Sequence, residues 1–239
     1  MKKESLQRFI EKYNLGGSVN SVVWNSDGKS LHTRFITDDK SLLGELKLAN
    51  FNLDDGKIGV YNTDQLIKLL SVCGSDVDLK LSKSEDKLYA LSISDSKSKV
   101  QFMLSDLSVI NQPPNLKQLP KFNIKIKIDK DFMDRFIKSK NALTEVDTFT
   151  VISEGGKVSI VIGYSAINTN RVTIPVEVDS STDCEPISFS AKFFKDVLVA
   201  NKECSSAVLE VSDKGLSRIN FKIDDYDVMY YLVAQDEVD

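Results

Sequence analysis

Residues Ile58–Leu104, IGVYNTDQLIKLLSVCGSDVDLKLSKSEDKLYALSISDSKSKVQFML, have a counterpart in Ile187–Val233, ISFSAKFFKDVLVANKECSSAVLEVSDKGLSRINFKIDDYDVMYYLV. Each opens with a short alternating stretch, passes into a helical period, and ends in three alternating stretches separated by turn residues. Register holds through Leu69 and Leu198, VDLKLSK and AVLEVSD, and Ser94-Asp95 and Asp224-Asp225, an offset of 129 to 130 residues. Working outward, SLQRFIEKY answers DFMDRFIKSK, with Arg8-Phe9-Ile10 matching Arg135-Phe136-Ile137 at an offset of 127. A nearly constant offset along most of a chain marks a duplicated domain.

Strand patterns fill the rest of each copy: Val19–Trp24, Leu31–Thr37 and Leu43–Ala49 in the first, and Thr148–Ser153, Val158–Ile162 and Arg171–Val178 in the second. Between the copies, SVINQPPNLKQLPK holds Pro113, Pro114 and Pro120, three of the chain's five prolines. Proline fixes φ and removes a backbone donor, so this stretch reads as an extended connector. The expected organisation is a domain over residues 1–107, a linker over 108–122 and a second domain over 123–239. Two short helices among about eight strands per domain make the class α+β, mostly antiparallel sheet.

Little points to catalysis. The single histidine, His32, lies in the strand pattern SLHTRFI, and no Gly-rich phosphate loop, HExxH or GxSxG is present. Cys73, Cys184 and Cys204 have neither CxxC nor zinc-ligand spacing, which fits a reducing compartment. The acidic pairs Asp38-Asp39, Asp54-Asp55, Asp76/Asp78 and Asp224-Asp225 lack the spacing of a calcium loop and read as solvated turns. No catalytic residue, metal or cofactor is expected. Neither a signal peptide nor a membrane span is legible, so an intracellular location, the cytoplasm, is expected.

The net charge of −4 argues against a nucleic-acid binder until it is divided. Helical periods cover Lys2–Tyr13, Thr63–Val72, Asp129–Lys140 and Ser190–Lys202, with N-cap signals at Asn62 or Thr63, Asp129 and Ser190. These segments hold 12 of the 31 Lys and Arg but only 7 of the 35 Asp and Glu, a net of +5 against −9 elsewhere. Their apolar stripes (Leu6, Phe9, Ile10, Tyr13; Leu66, Leu69, Leu70, Cys73; Phe132, Met133, Phe136, Ile137; Phe193, Phe194, Val197, Leu198) leave Arg8, Lys12, Lys68, Arg135, Lys138, Lys192 and Lys195 opposite. Exposed lysines are ordinary on one helix. The same bias on four helices of a duplicated domain points to a shared basic surface that meets phosphates without reading bases.

The repeated plan, the proline-bearing linker and the basic helices together resemble the DNA sliding clamps. The segment LLGELKLANFNLDDGKIGVYNTDQLIKLLSVCGSDVDLKLSKSEDKLYALSISD is similar to the T-even-type bacteriophage clamps, and proliferating cell nuclear antigen has the same plan. That resemblance implies two clamp domains per subunit and a pseudo-sixfold homotrimeric ring, a processivity factor that encircles duplex DNA and tethers a DNA polymerase. It implies loading by a separate clamp loader. Arg8, Lys12, Lys68, Arg135, Lys138, Lys192 and Lys195 would line the channel. Partner peptides would meet Val109, Ile110, Leu116 and Leu119 of the linker and Tyr230, Leu232 and Val233. Subunits would join head to tail through Lys99, Val100, Phe102 and Leu104 of one copy and Arg171, Val172, Ile174 and Val176 of the next. An alternative reading is a viral structural or assembly protein built from the same duplicated α+β domain.

Overall fold

The computed structural model describes every residue except Asp86, Lys117, Ala166, Asn168 and residues 236–239. Two compact units form: one from Met1–Thr37, Gly44–Pro114 and Asp224–Val228, the other from Asp38–Leu43, Asn115–Ile223 and Met229–Asp239.

The first copy of the repeat runs α1 (Lys3–Asn14), β1 (Val22–Ser26), β2 (Leu31–Ile36), β3 (Leu42–Leu48), β4 (Gly56–Val60), α2 (Thr63–Val72), β5 (Asp78–Ser84), β6 (Lys87–Ser94) and β7 (Lys99–Met103), with Leu42 and Leu43 of β3 belonging to the second unit. Strands order as β3-β2-β1-β4 and as a separate sheet β5-β6-β7. The second copy of the repeat, with the strand β8 before it, runs β8 (Ile124–Asp129), α3 (Lys130–Ala142), β9 (Thr148–Glu154), β10 (Lys157–Ile162), β11 (Val172–Val176), β12 (Val178–Ser180), β13 (Cys184–Ser190), α4 (Ala191–Ala200), β14 (Ser206–Ser212), β15 (Leu216–Ile223) and β16 (Tyr226–Val233), the first three residues of β16 belonging to the first unit. Its strands order as β11-β10-β9-β13 and β12-β8-β14-β15-β16.

The duplication is visible in these orders. The sequence β3-β2-β1-β4 recurs as β11-β10-β9-β13, and β5-β6-β7 recurs as β14-β15-β16. Of the two strands without a named counterpart, β8 and β12, the first is matched in outline: the β8–β14 pair Asp129↔Ser206 corresponds to an isolated antiparallel bridge, Lys2↔Asp76. The fold is α+β, a duplicated domain of mostly antiparallel sheet with two short helices in each repeat.

Aromatic packing holds α1, α3 and α4, while α2 buries Leu66 and Leu70 instead. Phe9 of α1 meets Trp24 of β1 edge-on, with ring centres 5.7 Å apart, and Tyr13 meets the same indole at 6.4 Å. Phe136, the repeat partner of Phe9, stands edge-on to Phe149 at 5.3 Å and to Phe194 of α4 at 4.8 Å. Such pairs contribute about 0.5–1.5 kcal/mol beyond the apolar area they bury. All of these rings are buried. The apolar stripe of every helix therefore faces its own sheet, which decides what the opposite face can be.

Two expected strands shift for local reasons. The one expected from Val19 starts at Val22, because Asn14 stops α1 and holds the turn that follows. Its side-chain amide donates to the Val19 carbonyl, and its side-chain oxygen accepts from Gly17 N–H. The strand expected over 171–178 breaks into β11 and β12 at Glu177, whose carbonyl accepts from Lys127 N–H of β8. Hairpins form at Gly155-Gly156, where both residues have positive φ, and between β5 and β6, whose turn includes Asp86, outside the described residues. His32 sits half-buried within β2, opposite Asn25 of β1, and burial holds its pKa below the usual histidine value.

Phe136→Ala removes the ring on which Phe149 and Phe194 rest, so a loss of about 3–5 kcal/mol is expected. Urea unfolding would read it as a lower midpoint, and a change below about 1 kcal/mol would contradict this account of the core.

Candidate nucleic-acid interface and docking edges

Caps set the start of three helices, and with it the direction of their exposed faces. The Asn62 side chain accepts from Gln65 N–H at 2.9 Å, Asp129 from Phe132 N–H at 2.8 Å, and Ser190 from Phe193 N–H at 3.3 Å. Thr63, the alternative cap, instead lies buried with its hydroxyl 3.1 Å from that of Tyr13.

The seven candidate DNA-facing cations divide into three groups. Lys68 and Lys138 are exposed and make no ion pair among the described residues. Arg135 pairs with Asp131 one turn back, and Lys192 and Lys195 both reach Asp196. The Arg135–Asp131 pair is exposed and such pairs contribute about 0–1 kcal/mol, so a phosphate can compete for Arg135 at little cost, whereas Lys195 and Asp196 are themselves partly buried.

Arg8 and Lys12 form the third group, and here the helical wheel needs correcting. Lys12 is only 1% exposed. Residues Asp224–Val228 belong to the same unit as α1 and cover this face. Arg8 pairs with Asp224 at 2.9 Å, and the Tyr226 ring lies 4.6 Å from the Arg8 guanidinium and 5.3 Å from the Lys12 ammonium. The Tyr226 hydroxyl donates to the Ser5 carbonyl at 2.7 Å. A cation over an aromatic face offsets part of its desolvation, so the Tyr226 ring helps Lys12 tolerate burial. Lys140 is also buried, spanning the end of α3 to the Leu143 and Thr144 carbonyls. The helix excess of positive charge is thus not all at the surface.

Partner-site candidates also separate. Tyr230 and Leu232 are core residues of β16, and the Tyr230 hydroxyl accepts from the Asn201 amide at 3.0 Å. Strand alternation sends them inward and leaves Val233 exposed. In the linker Val109 and Leu116 are exposed and Leu119 is half-buried, but Ile110 is buried. Ile110 lies against Gly59 of β4, where an added Cβ would come 2.3 Å from the Ser105 carbonyl oxygen and 3.3 Å from the Ile110 side chain. Only glycine lets the chain leaving β7 cross so close to β4. Tyr61 and Leu107, not among the candidates, are exposed apolar residues of the same unit.

Two anchors hold the start of the linker, and sequence reasoning missed both. Arg34 of β2 donates from Nη2 to the Pro114 carbonyl at 2.6 Å and from Nε to Glu45 at 3.1 Å. Asp106 accepts from Ser108 N–H and from Lys87. The Ser108 backbone bond is the largest influence lowering the Asp106 pKa to about 2, helped by the Ser108 hydroxyl and Lys87. The Arg34 contact spans 80 residues, so no local pattern announces it.

Both strands proposed for subunit contact are sheet edges, β7 in β5-β6-β7 and β11 in β11-β10-β9-β13. Lys99 and Arg171 are exposed; Val100, Leu104, Val172 and Val176 are half-buried; Phe102 and Ile174 are buried. Beside β11 runs a cleft of about 1200 Å³ whose walls include Phe132, Arg135 and Lys138 of α3 and Val208 of β14.

Members of three of the four acidic pairs take structural roles. Asp224 holds Arg8, Asp225 accepts from the Asn50 amide, Asp76 holds Lys2, and Asp39 accepts from Ser41 N–H. None of the helices among the described residues is long and apolar enough to cross a membrane.

A twice-repeated helix–sheet domain with basic exposed helix residues and open edge strands defines the class as a DNA-clamp fold. Proliferating cellular nuclear antigen from Entamoeba histolytica is similar with a TM-score of 0.75, covering 99% of this chain and 97% of that one at 16% identity. The PCNA2–PCNA3 complex from Sulfolobus tokodaii is similar with a TM-score of 0.73, 98% and 97% coverage, and 12% identity. No protein-family model and no curated protein sequence matches the chain.

Arg34→Ala should free the chain at Pro114 and speed proteolytic cleavage within residues 108–122, with limited proteolysis as the readout. An unchanged cleavage rate would remove Arg34 as an anchor. Because the folded pKa of Asp106 is depressed, its stabilising contribution is full above the unfolded value near 3.9 and fades as pH falls toward about 2. Asp106→Asn should therefore flatten the acid-side loss of stability between roughly pH 4 and pH 2, measured as urea midpoints.

Proposed function

We propose that this chain is a sliding clamp: a ring subunit, not an enzyme, that encircles duplex DNA and tethers a DNA polymerase for processive synthesis. The observation that carries the reading is the clamp fold over nearly the whole chain, found together with exposed cations on the helices. The domain limits follow the repeat, residues 1–107 and 123–239 with a linker over 108–122. Three copies join head to tail, β7 of one against β11 of the next, and close a pseudo-sixfold homotrimer. A separate clamp loader opens it. The host is bacterial, and the phage-type clamps are the relatives whose biology the chain follows.

Within the ring, Lys68, Arg135, Lys138, Lys192 and Lys195 meet phosphates. Arg8 contributes only where Asp224 releases it, and Lys12 is withdrawn from the set because it is buried. A topological link makes strong contact unnecessary, so weak, sequence-independent attraction suits a ring that slides. Partner peptides dock on the exposed linker residues Val109 and Leu116 with Leu119 and Val233, while Ile110 supports the linker from beneath.

Combined Lys68→Glu, Arg135→Glu, Lys138→Glu and Lys192→Glu should lower retention on nicked circular DNA by at least tenfold at low salt, with the deficit shrinking as salt is added and the oligomer persisting. Retention equal to wild type would refute the channel assignment. Val109→Ser with Leu116→Ser should weaken binding of a polymerase C-terminal peptide without changing oligomer size; unchanged affinity would exclude the linker site.

A further inference from the structure

The free edges of β7 and β11 differ in a way that hydrogen-bond alternation exposes. In the sheet β11-β10-β9-β13, the Ser188 carbonyl of β13 accepts from Gln235 N–H. Ser188 therefore turns its peptide groups away from β9, and Ile187 and Phe189 turn theirs toward it. Carried across the registers Ile187↔Val151, Ile152↔Ser159 and Ile160↔Ile174, the alternation assigns Val172, Ile174 and Val176 to bonding with β10. Thr173 and Pro175 face the open edge. Proline is tolerated there because its missing N–H costs the sheet no bond.

The same reasoning applies to β7. Leu104 N–H donates to the Tyr89 carbonyl of β6, and the next residue, Ser105, donates away to Gly59. Lys99, Gln101 and Met103 therefore present their N–H and C=O groups outward. An antiparallel seam sets outward-facing residues opposite one another. Every such register also places Val100, Phe102 and Leu104 on the same face as Val172, Ile174 and Val176. Four of these six, Val100, Leu104, Val172 and Val176, are half-buried and gain cover from the join. Backbone parity and side-chain parity agree, which favours a second copy of this chain as the occupant of both edges.

We propose that Pro175 is a built-in donor gap in that seam. Across it β7 offers a donor and an acceptor at each outward residue, whereas β11 offers both at Thr173 and only an acceptor at Pro175. One β7 carbonyl goes without an N–H, which shortens the ladder and keeps the seam openable. The inference rests on the head-to-tail ring reading and adds to it the residue that sets seam strength.

The test is sedimentation of the full chain over a concentration series. Pro175→Val and Pro175→Ala restore an outward N–H and should lower the subunit dissociation constant about fivefold, the effect of one hydrogen bond of roughly 1 kcal/mol. Thr173→Pro removes the remaining outward strand donor and should raise the constant by about as much. Both positions face outward, so neither change breaks a bond within the sheet. An oligomeric wild type with the Pro175 variants unchanged or weakened would overturn the donor gap while sparing the ring. A wild type that stays monomeric at every concentration would overturn the ring reading itself, and the gap with it.

Discussion

An aromatic ring on a helix, set edge-on into the sheet below, is the contact on which the rest of this structure depends. Phe9 against Trp24 and Phe136 against Phe149 hold α1 and α3 by one stripe. Once that stripe is committed, 3.6 residues per turn decide which side chains reach solvent. The exposed cations Lys68, Arg135, Lys138 and Lys192 are in this sense by-products of core packing. The chain needs no binding pocket to present them, only helices that cannot roll.

A second constraint is that every buried backbone group needs a partner. Inside a sheet neighbouring strands supply it, and at β7 and β11 no strand among the described residues does along the outer side. An edge left open in this way is a hazard unless it is short, charged or blocked by proline. The two edges are five residues each, with Lys99 on one and Pro175 on the other. The features that restrain unwanted pairing also define where a wanted pairing can occur and how strong it becomes.

Burial of Lys12 shows how a tertiary neighbour reassigns a residue. On the helix alone it sits opposite the apolar stripe, as Arg8 does. Tyr226, more than 200 residues away, covers both, so one cation is enclosed and the other is engaged with Asp224. Tyr230 and Leu232 carry the complementary lesson: strand alternation foretold that some of Tyr230–Val233 would fill core, and only packing showed which.

What the sequence determined by itself was what is local or repeated. Helix spans follow from a period and a cap, as at Asn62, Asp129 and Ser190, and the duplication follows from a steady offset that survives as matching strand orders. Both signals lie within a few residues of each other or recur at a nearly constant offset along the chain. Tertiary structure alone decided what depends on distant neighbours: the enclosure of Lys12, the anchoring of Pro114 by Arg34, the closeness of Ser105 to Gly59, and the outward turn of Pro175. Burial, edge position and hydrogen-bond direction are properties of which segments meet, and residues far apart in sequence carry no local sign of their meeting.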